Sequence, residues 1–197
     1  MKKYKFTGET KTIDLPFGTV TLHRIKAVVE FGLVKVGDLG GWIEKEENLS
    51  HEENAWVCGN AKVYGDAKVY GDAEVYGDAK VYGDAKVYGD AKVCGNAKVC
   101  GNAEVCGNAE VCGNAKVFSA DHVLVIGAIG SRNDFTTFFR DKDNEITVKC
   151  GCFLGKIDKF LEKVTQTHKD TKHALVYRTA VEVAKLQINL TEKSTRR

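Results

Sequence analysis

Between Ala55 and Asn114 the chain repeats Ala-x-Val-(Tyr/Cys)-Gly-(Asp/Asn) ten times without an insertion. A period this strict marks a repeat architecture in which each unit packs on its neighbours. Ala and Val stand two apart, so in a strand both face one side while x and the Tyr or Cys face the other. Gly-Asp or Gly-Asn then supplies a corner, because these residues tolerate the backbone angles of a tight bend. A helix is excluded: its apolar residues would recur at spacings of three and four, and a Gly every sixth residue opposes it. Each unit is therefore a short strand plus a bend, and a six-residue period implies a parallel β-helix.

With three units per coil, residues 18 apart stack about 4.8 Å from one another. The outer columns then read Cys58-Tyr76-Cys94-Cys112, Tyr64-Tyr82-Cys100-Phe118 and Tyr70-Tyr88-Cys106. Asp66, Asp72, Asp78, Asp84 and Asp90 follow the tyrosines, whereas asparagines follow the cysteines. Stacked carboxylates repel, so Lys62, Lys68, Lys80 and Lys86 are expected to neutralise them. An aromatic stripe of this length is a large exposed patch on a monomer. Tyr64, Tyr70, Tyr76, Tyr82 and Tyr88 are accordingly expected at an oligomer interface, in a parallel homotrimer.

The repeat resembles the hexapeptide-repeat family of left-handed β-helices, with Val as the inward aliphatic and Ala as the small inward residue. Gly stands two residues after Val, a variant seen in bacterial and phage members. Gly37-Asp38-Leu39-Gly40-Gly41-Trp42-Ile43, Asn48-Leu49-Ser50 and Asn54-Ala55-Trp56-Val57 match the lead-in of that subgroup. The resemblance spans roughly residues 29–117. It implies a left-handed β-helix of three hexads per turn and a trimer, with acyl transfer as the family's enzymatic precedent. A catalytic histidine of that family sits near a loop projecting from a coil, and the ten units here carry no such loop. His122, read as pointing outward beside Asp121, is the one weak catalytic candidate.

The flanks define the remaining units: an N-terminal β cap over residues 1–54, the β-helix over 55–121 and an α+β domain over 122–197. Residues 5–13 and 18–31 read as strands about the turn Pro16-Phe17-Gly18. Ile43 and Leu49 keep the six-residue spacing, but Leu49 to Val57 is eight, which predicts a bulge near His51 in a capping coil. Behind the repeat, residues 123–129, 135–140 and 145–150 read as three strands. Ile157, Phe160, Leu161 and Val164 give an amphipathic helix. A second helix over residues 171–189 would use Leu175, Val176, Ala180, Val183 and Leu186, and 191–197 reads as a frayed end. Gly130-Ser131-Arg132-Asn133, Thr136-Thr137-Phe138, Cys150-Gly151-Cys152-Phe153 and Thr167-His168 resemble a small domain of phage and prophage proteins that has no established activity.

Lys plus Arg total 29 and Asp plus Glu 27, so the chain carries a net charge of +2 and reads neither as a polycation nor as an acidic nucleic-acid mimic. No apolar run spans a membrane. No secretory leader is visible, so the expected location is the cytoplasm of a bacterial host cell. The positive charge concentrates behind residue 114, which directs any anion site to the tail; the repeat is acidic on balance, so its Lys/Tyr alternation does not read as a stacking platform and nucleic acid is not expected. The repeat cysteines fall on successive faces and Cys150-Gly-Cys152 lies on one strand face, so structural thiols are expected, with no metal and no cofactor. Gly130, Ser131, Arg132, Asn133, Thr136 and Thr137 form the best candidate ligand site. A Gly-rich turn with a guanidinium and hydroxyls suits a phosphate or carboxylate. The alternative is a structural turn in which Arg132 pairs with Asp134. No nucleophile elbow, phosphate loop or carboxylate pair accompanies them. The reading is a non-catalytic phage- or prophage-type trimeric binding protein, a counter-defence factor that binds a host protein or sequesters a nucleotide-like anion. A hexapeptide-repeat acyltransferase and a bare scaffold are the alternatives.

Overall fold

The computed structural model describes residues 1–16 and 18–191; Phe17 of the expected turn and residues 192–197 of the expected frayed end lie outside them. The repeat forms a three-sided parallel β-helix. Two-residue rungs, each x followed by Val, stack in parallel register as Lys62-Lys80-Lys98-Lys116 on the first face. The second face carries Trp56-Glu74-Lys92-Glu110 and the third Lys68-Lys86-Glu104. Every Val and Ala of the ten units is buried, in one continuous core. The corners form a ladder of their own: the N–H groups of Asp72, Asp78 and Asp84 donate to the carbonyls of Gly89, Gly95 and Gly101, all at 2.9 Å. Each repeat glycine holds a φ between +58° and +72°, which an L side chain adopts only with strain.

Two long strands, β1 (Tyr4–Leu15) and β2 (Gly18–Ala27), form an antiparallel hairpin that pairs with β3 (Leu39–Ile43). Ile43, Leu49 and Val57 then face Val63, Val69 and Val75, so the capping coil enters the same core. Its first two pairings are 20 residues apart instead of 18, and the surplus is taken up in residues 50–54. The hairpin also closes over one corner of the rod. Leu22, Trp42 and Tyr64 are buried together, with Ile13, Val20 and Tyr82 packed against them. Tyr64 is 6% exposed. This corrects its assignment to an oligomer interface, because the chain covers that ring itself. Tyr64 and Tyr82 stack at 5.0 Å, and Tyr70 and Tyr88 at 4.9 Å on another edge.

The tail holds four strands, where the sequence suggested three: β4 (Val123–Ile129), β5 (Asp134–Arg140), β6 (Ile146–Cys150) and β7 (Phe153–Lys156). They form an antiparallel sheet in sequential order. Helices α1 (Ile157–His168) and α2 (Lys172–Gln187) cover one side of it through Phe138, Val148, Phe160, Tyr177 and Val181. The other side closes the end of the rod, with Phe139 in the rod's core. The buried face of α2 is Ala174, Tyr177, Ala180, Val181 and Ala184, while Leu175 (63%), Val183 (44%) and Leu186 (90%) are exposed. Small alanines let α2 lie close to the sheet, and that outweighed the larger apolar side chains expected to face inward. No helix among the described residues is long and apolar enough to cross a membrane.

Candidate functional site

The expected ligand residues do not converge. Gly130, Ser131, Arg132 and Asn133 form the turn between β4 and β5, and positive φ angles at Gly130 (+70°) and Asn133 (+50°) shape it. A side chain at Gly130 would collide with the ring of Tyr177, since an added Cβ would lie 2.0 Å from Cζ. Arg132 stands 3.8 Å from Asp134, the pairing that marks a structural turn. Ser131 Oγ lies 3.4 Å from His168 Nε2. Thr136 and Thr137 are buried on opposite sides of β5. Thr136 donates to the Cys150 sulfur at 3.3 Å, while Thr137 Oγ1 accepts the N–H of Glu110 at 3.0 Å and so ties the tail to the rod.

Two cations of the adjoining strands, Lys149 and Arg140, are engaged elsewhere. Lys149 pairs with Glu110 at 2.8 Å and donates to the carbonyl of Gly151. Arg140 is buried at the far end of β5, 4.5 Å from the centroid of the Phe118 ring, and bonds Asn144. Nearby, the Asp141 carboxyl shows opposing effects. Burial pushes its pKa up, but hydrogen bonds from Lys156, Thr147 and the N–H groups of Asp143 and Glu145 hold it below the ordinary value.

His122 is fully buried, not outward-facing. Residues 120–122 make a short turn that folds the imidazole edge-on against Phe118, with centroids 4.3 Å apart. Its Nδ1 accepts the Phe118 N–H at 3.3 Å. A base in that position is closed off from a substrate. His51 likewise serves the cap, stacked on Tyr4 at 4.2 Å, and burial lowers its pKa.

The cysteines sort by column. Cys94 and Cys112, stacked in one column, are joined by a disulfide between neighbouring coils, with Cα atoms 4.6 Å apart. Cys58, Cys100, Cys106, Cys150 and Cys152 remain thiols. Cys152 sits exposed in the tight turn between β6 and β7, so it does not share a strand face with Cys150. Among the described residues no three metal-ligating side chains cluster.

What the fold does build is a groove of about 540 Å³ along the second face. Its floor combines the rung column Trp56-Glu74-Lys92-Glu110 with the corner column Asn54-Asp72-Asp90-Asn108, each spaced by one coil. One wall is the loop of Gly32, Leu33, Val34 and Asp38; the other is Asp134, Phe135, Thr137, Lys149 and Gly151 of the tail. Six carboxylates (Asp38, Asp72, Glu74, Asp90, Glu110, Asp134) face two lysines (Lys92, Lys149). Leu33 is fully exposed at one rim, and Phe135 is 38% exposed at the other. Sorting the x positions by 18 residues was the signal in the sequence that could have revealed this floor.

The corner carboxylates are not neutralised as expected. Among the described residues, Asp66 pairs with Lys45 of the cap at 2.8 Å and Lys86 with Glu104 at 3.0 Å. Among those same described residues, Lys62, Lys68 and Lys80 have no carboxylate within 4 Å. Rung side chains point away from the face, whereas the corner side chains radiate from its edge.

Comparison with known protein families finds no match, and neither does comparison with curated proteins.

Proposed function

We propose that the chain is a non-catalytic binding protein whose groove holds a cationic, extended segment of a partner protein. The excess of carboxylates in a groove with apolar rims supports this reading. An arginine- or lysine-bearing strand would meet charge along the floor and place apolar side chains against Leu33 and Phe135. The groove favours a protein partner over the small anion also considered, since its field repels anions. The burial of His122 speaks against acyl transfer. A phage or prophage origin, a hexapeptide-repeat ancestry and a counter-defence role, with a host protein as partner, belong to the same proposal on the strength of sequence resemblance. So does a homotrimer, which would use Tyr70, Tyr76 and Tyr88, the rings outside the hairpin cluster.

The test is fluorescence anisotropy with a labelled peptide that alternates arginine and leucine. Micromolar binding that weakens with salt, and at least tenfold on Asp90→Lys, supports the reading. Equal binding by the parent and Asp90→Lys removes the groove as the seat.

A further inference from the structure

The first face differs from the other two in charge. In register along one sheet stand Arg24, Trp42, Lys62, Lys80, Lys98 and Lys116, all on the outer side. The guanidinium of Arg24 lies 5.2 Å from the centroid of the Trp42 ring and Lys11 Nζ 5.7 Å from it, so both extend the column at its cap end. The third face sets Glu104 beside Lys86 and pairs the two, and the second mixes glutamates with one lysine. Here four lysines succeed one another with no acid between them.

Neighbouring rungs lie about 4.8 Å apart, and like charges directly opposite each other in a sheet are destabilising. The chain supplies little relief. Lys62 bonds the carbonyl of Asn60 at 2.9 Å, and Asp78 is the nearby carboxylate that acts on it. Among the described residues Lys80, Lys98 and Lys116 have no carboxylate within 4 Å. Lys98 is exposed and Lys80 and Lys116 are partly so, which leaves their ammonium groups available to solvent. A straight row of uncompensated cations on a flat face complements a straight row of anions.

We propose that this face binds the phosphate backbone of duplex nucleic acid, without reading its sequence. A single strand is a poorer fit, because its binders offer aromatic rings on which bases stack. Trp42 of this column and Tyr64 beside it are buried beneath the hairpin, and Tyr82 is packed against that cluster. Lysines act as mobile point charges that contact phosphates and leave the base edges unread. The three-sided coil turns the acidic groove onto another face, so contact is confined to this column. The overall charge of +2 conceals the site, because the charge that matters is sorted by face.

Anisotropy with a labelled duplex of about 20 base pairs tests this at about 50 mM salt. Micromolar binding is expected, with log K falling against log salt at a slope of roughly −3, as about three phosphates neutralised by Lys80, Lys98 and Lys116 require. Lys80→Glu with Lys98→Glu should lower affinity at least tenfold, and Lys80→Ala with Lys98→Ala less so. Lys68→Glu on the third face should bind like the parent. Circular dichroism melts establish that each variant is folded. Absence of binding, equal binding by folded Lys80→Glu/Lys98→Glu protein, tighter binding of a single strand, or capture of polyglutamate in place of the duplex would overturn the proposal. Peptide binding in the groove is a separate readout, so either result can fail alone.

Discussion

Replacing Gly71 and Gly107 by alanine separates the two demands that the corners make on the backbone. Both glycines hold a left-handed φ, +71° and +58°. They differ in what lies above them. A Cβ at Gly71 would sit 2.8 Å from the backbone nitrogen of Gly89 and 3.3 Å from its Cα, whereas a Cβ at Gly107 meets nothing within 4 Å. Gly107→Ala therefore carries the conformational strain alone, about 1–2 kcal/mol. Gly71→Ala adds a displacement of the next coil's backbone, comparable to overpacking a core at about 1–3 kcal/mol. The expected difference is about 2 kcal/mol, or roughly 1 M in the urea midpoint for a slope of about 2 kcal/mol/M. Urea titrations followed by far-UV circular dichroism measure it. Equal midpoints for the two variants would refute the idea that the glycines are needed for close stacking as well as for the bend.

Two further outcomes follow from the cap. Tyr64→Ala should cost about 3–5 kcal/mol, as for a large buried ring, and Tyr70→Ala clearly less; similar costs in thermal melts would mean that the hairpin does not cover Tyr64. Lys3 donates to the carbonyls of Glu52 and Glu53, both at 3.1 Å, and burial lowers its pKa from 10.5 to about 8 against the pull of Glu53 and Asp72. Between those values the unfolded chain holds a proton that the folded chain has released, so this group makes stability rise with pH across that window. Melting the parent and Lys3→Met at about pH 7 and about pH 10 checks the sign. The parent should gain on the variant at the higher pH, and a constant gap contradicts it.

The rod was legible because its pattern is local. Ala-x-Val specifies which side faces inward, and the Gly that follows specifies the bend, so the six-residue period leads directly to stacked coils. The eight-residue step from Leu49 to Val57 likewise marked the irregular coil that the structure holds at residues 50–54. Features set by tertiary contact were not legible. Phe153-Leu-Gly-Lys is too short to stand out as a strand, and it forms one by pairing with β6. Thr136 and Thr137 looked like ligand hydroxyls, yet β5 lies between the helices and the rod and directs one threonine to each. Ala174 and Ala184 carried less hydrophobic weight than Leu175 and Leu186, although close helix packing favoured the smaller side chains. The groove and the lysine column depend on which x residues share a face. That information was present at a spacing of 18, but became informative once the charges were separated by face.

Disulfide mapping tests the 18-residue register most directly. Cleavage after Lys92, Lys98, Glu104, Glu110 and Lys116 releases four hexapeptides: Val-Cys-Gly-Asn-Ala-Lys from residues 93–98 and 111–116, and Val-Cys-Gly-Asn-Ala-Glu from 99–104 and 105–110. Applied to mildly oxidised monomer, the method should give two lysine-ended peptides joined through Cys94 and Cys112. A lysine-ended peptide joined to a glutamate-ended one, or two glutamate-ended peptides joined together, would place cysteines six or twelve residues apart in one column and contradict the three-sided coil.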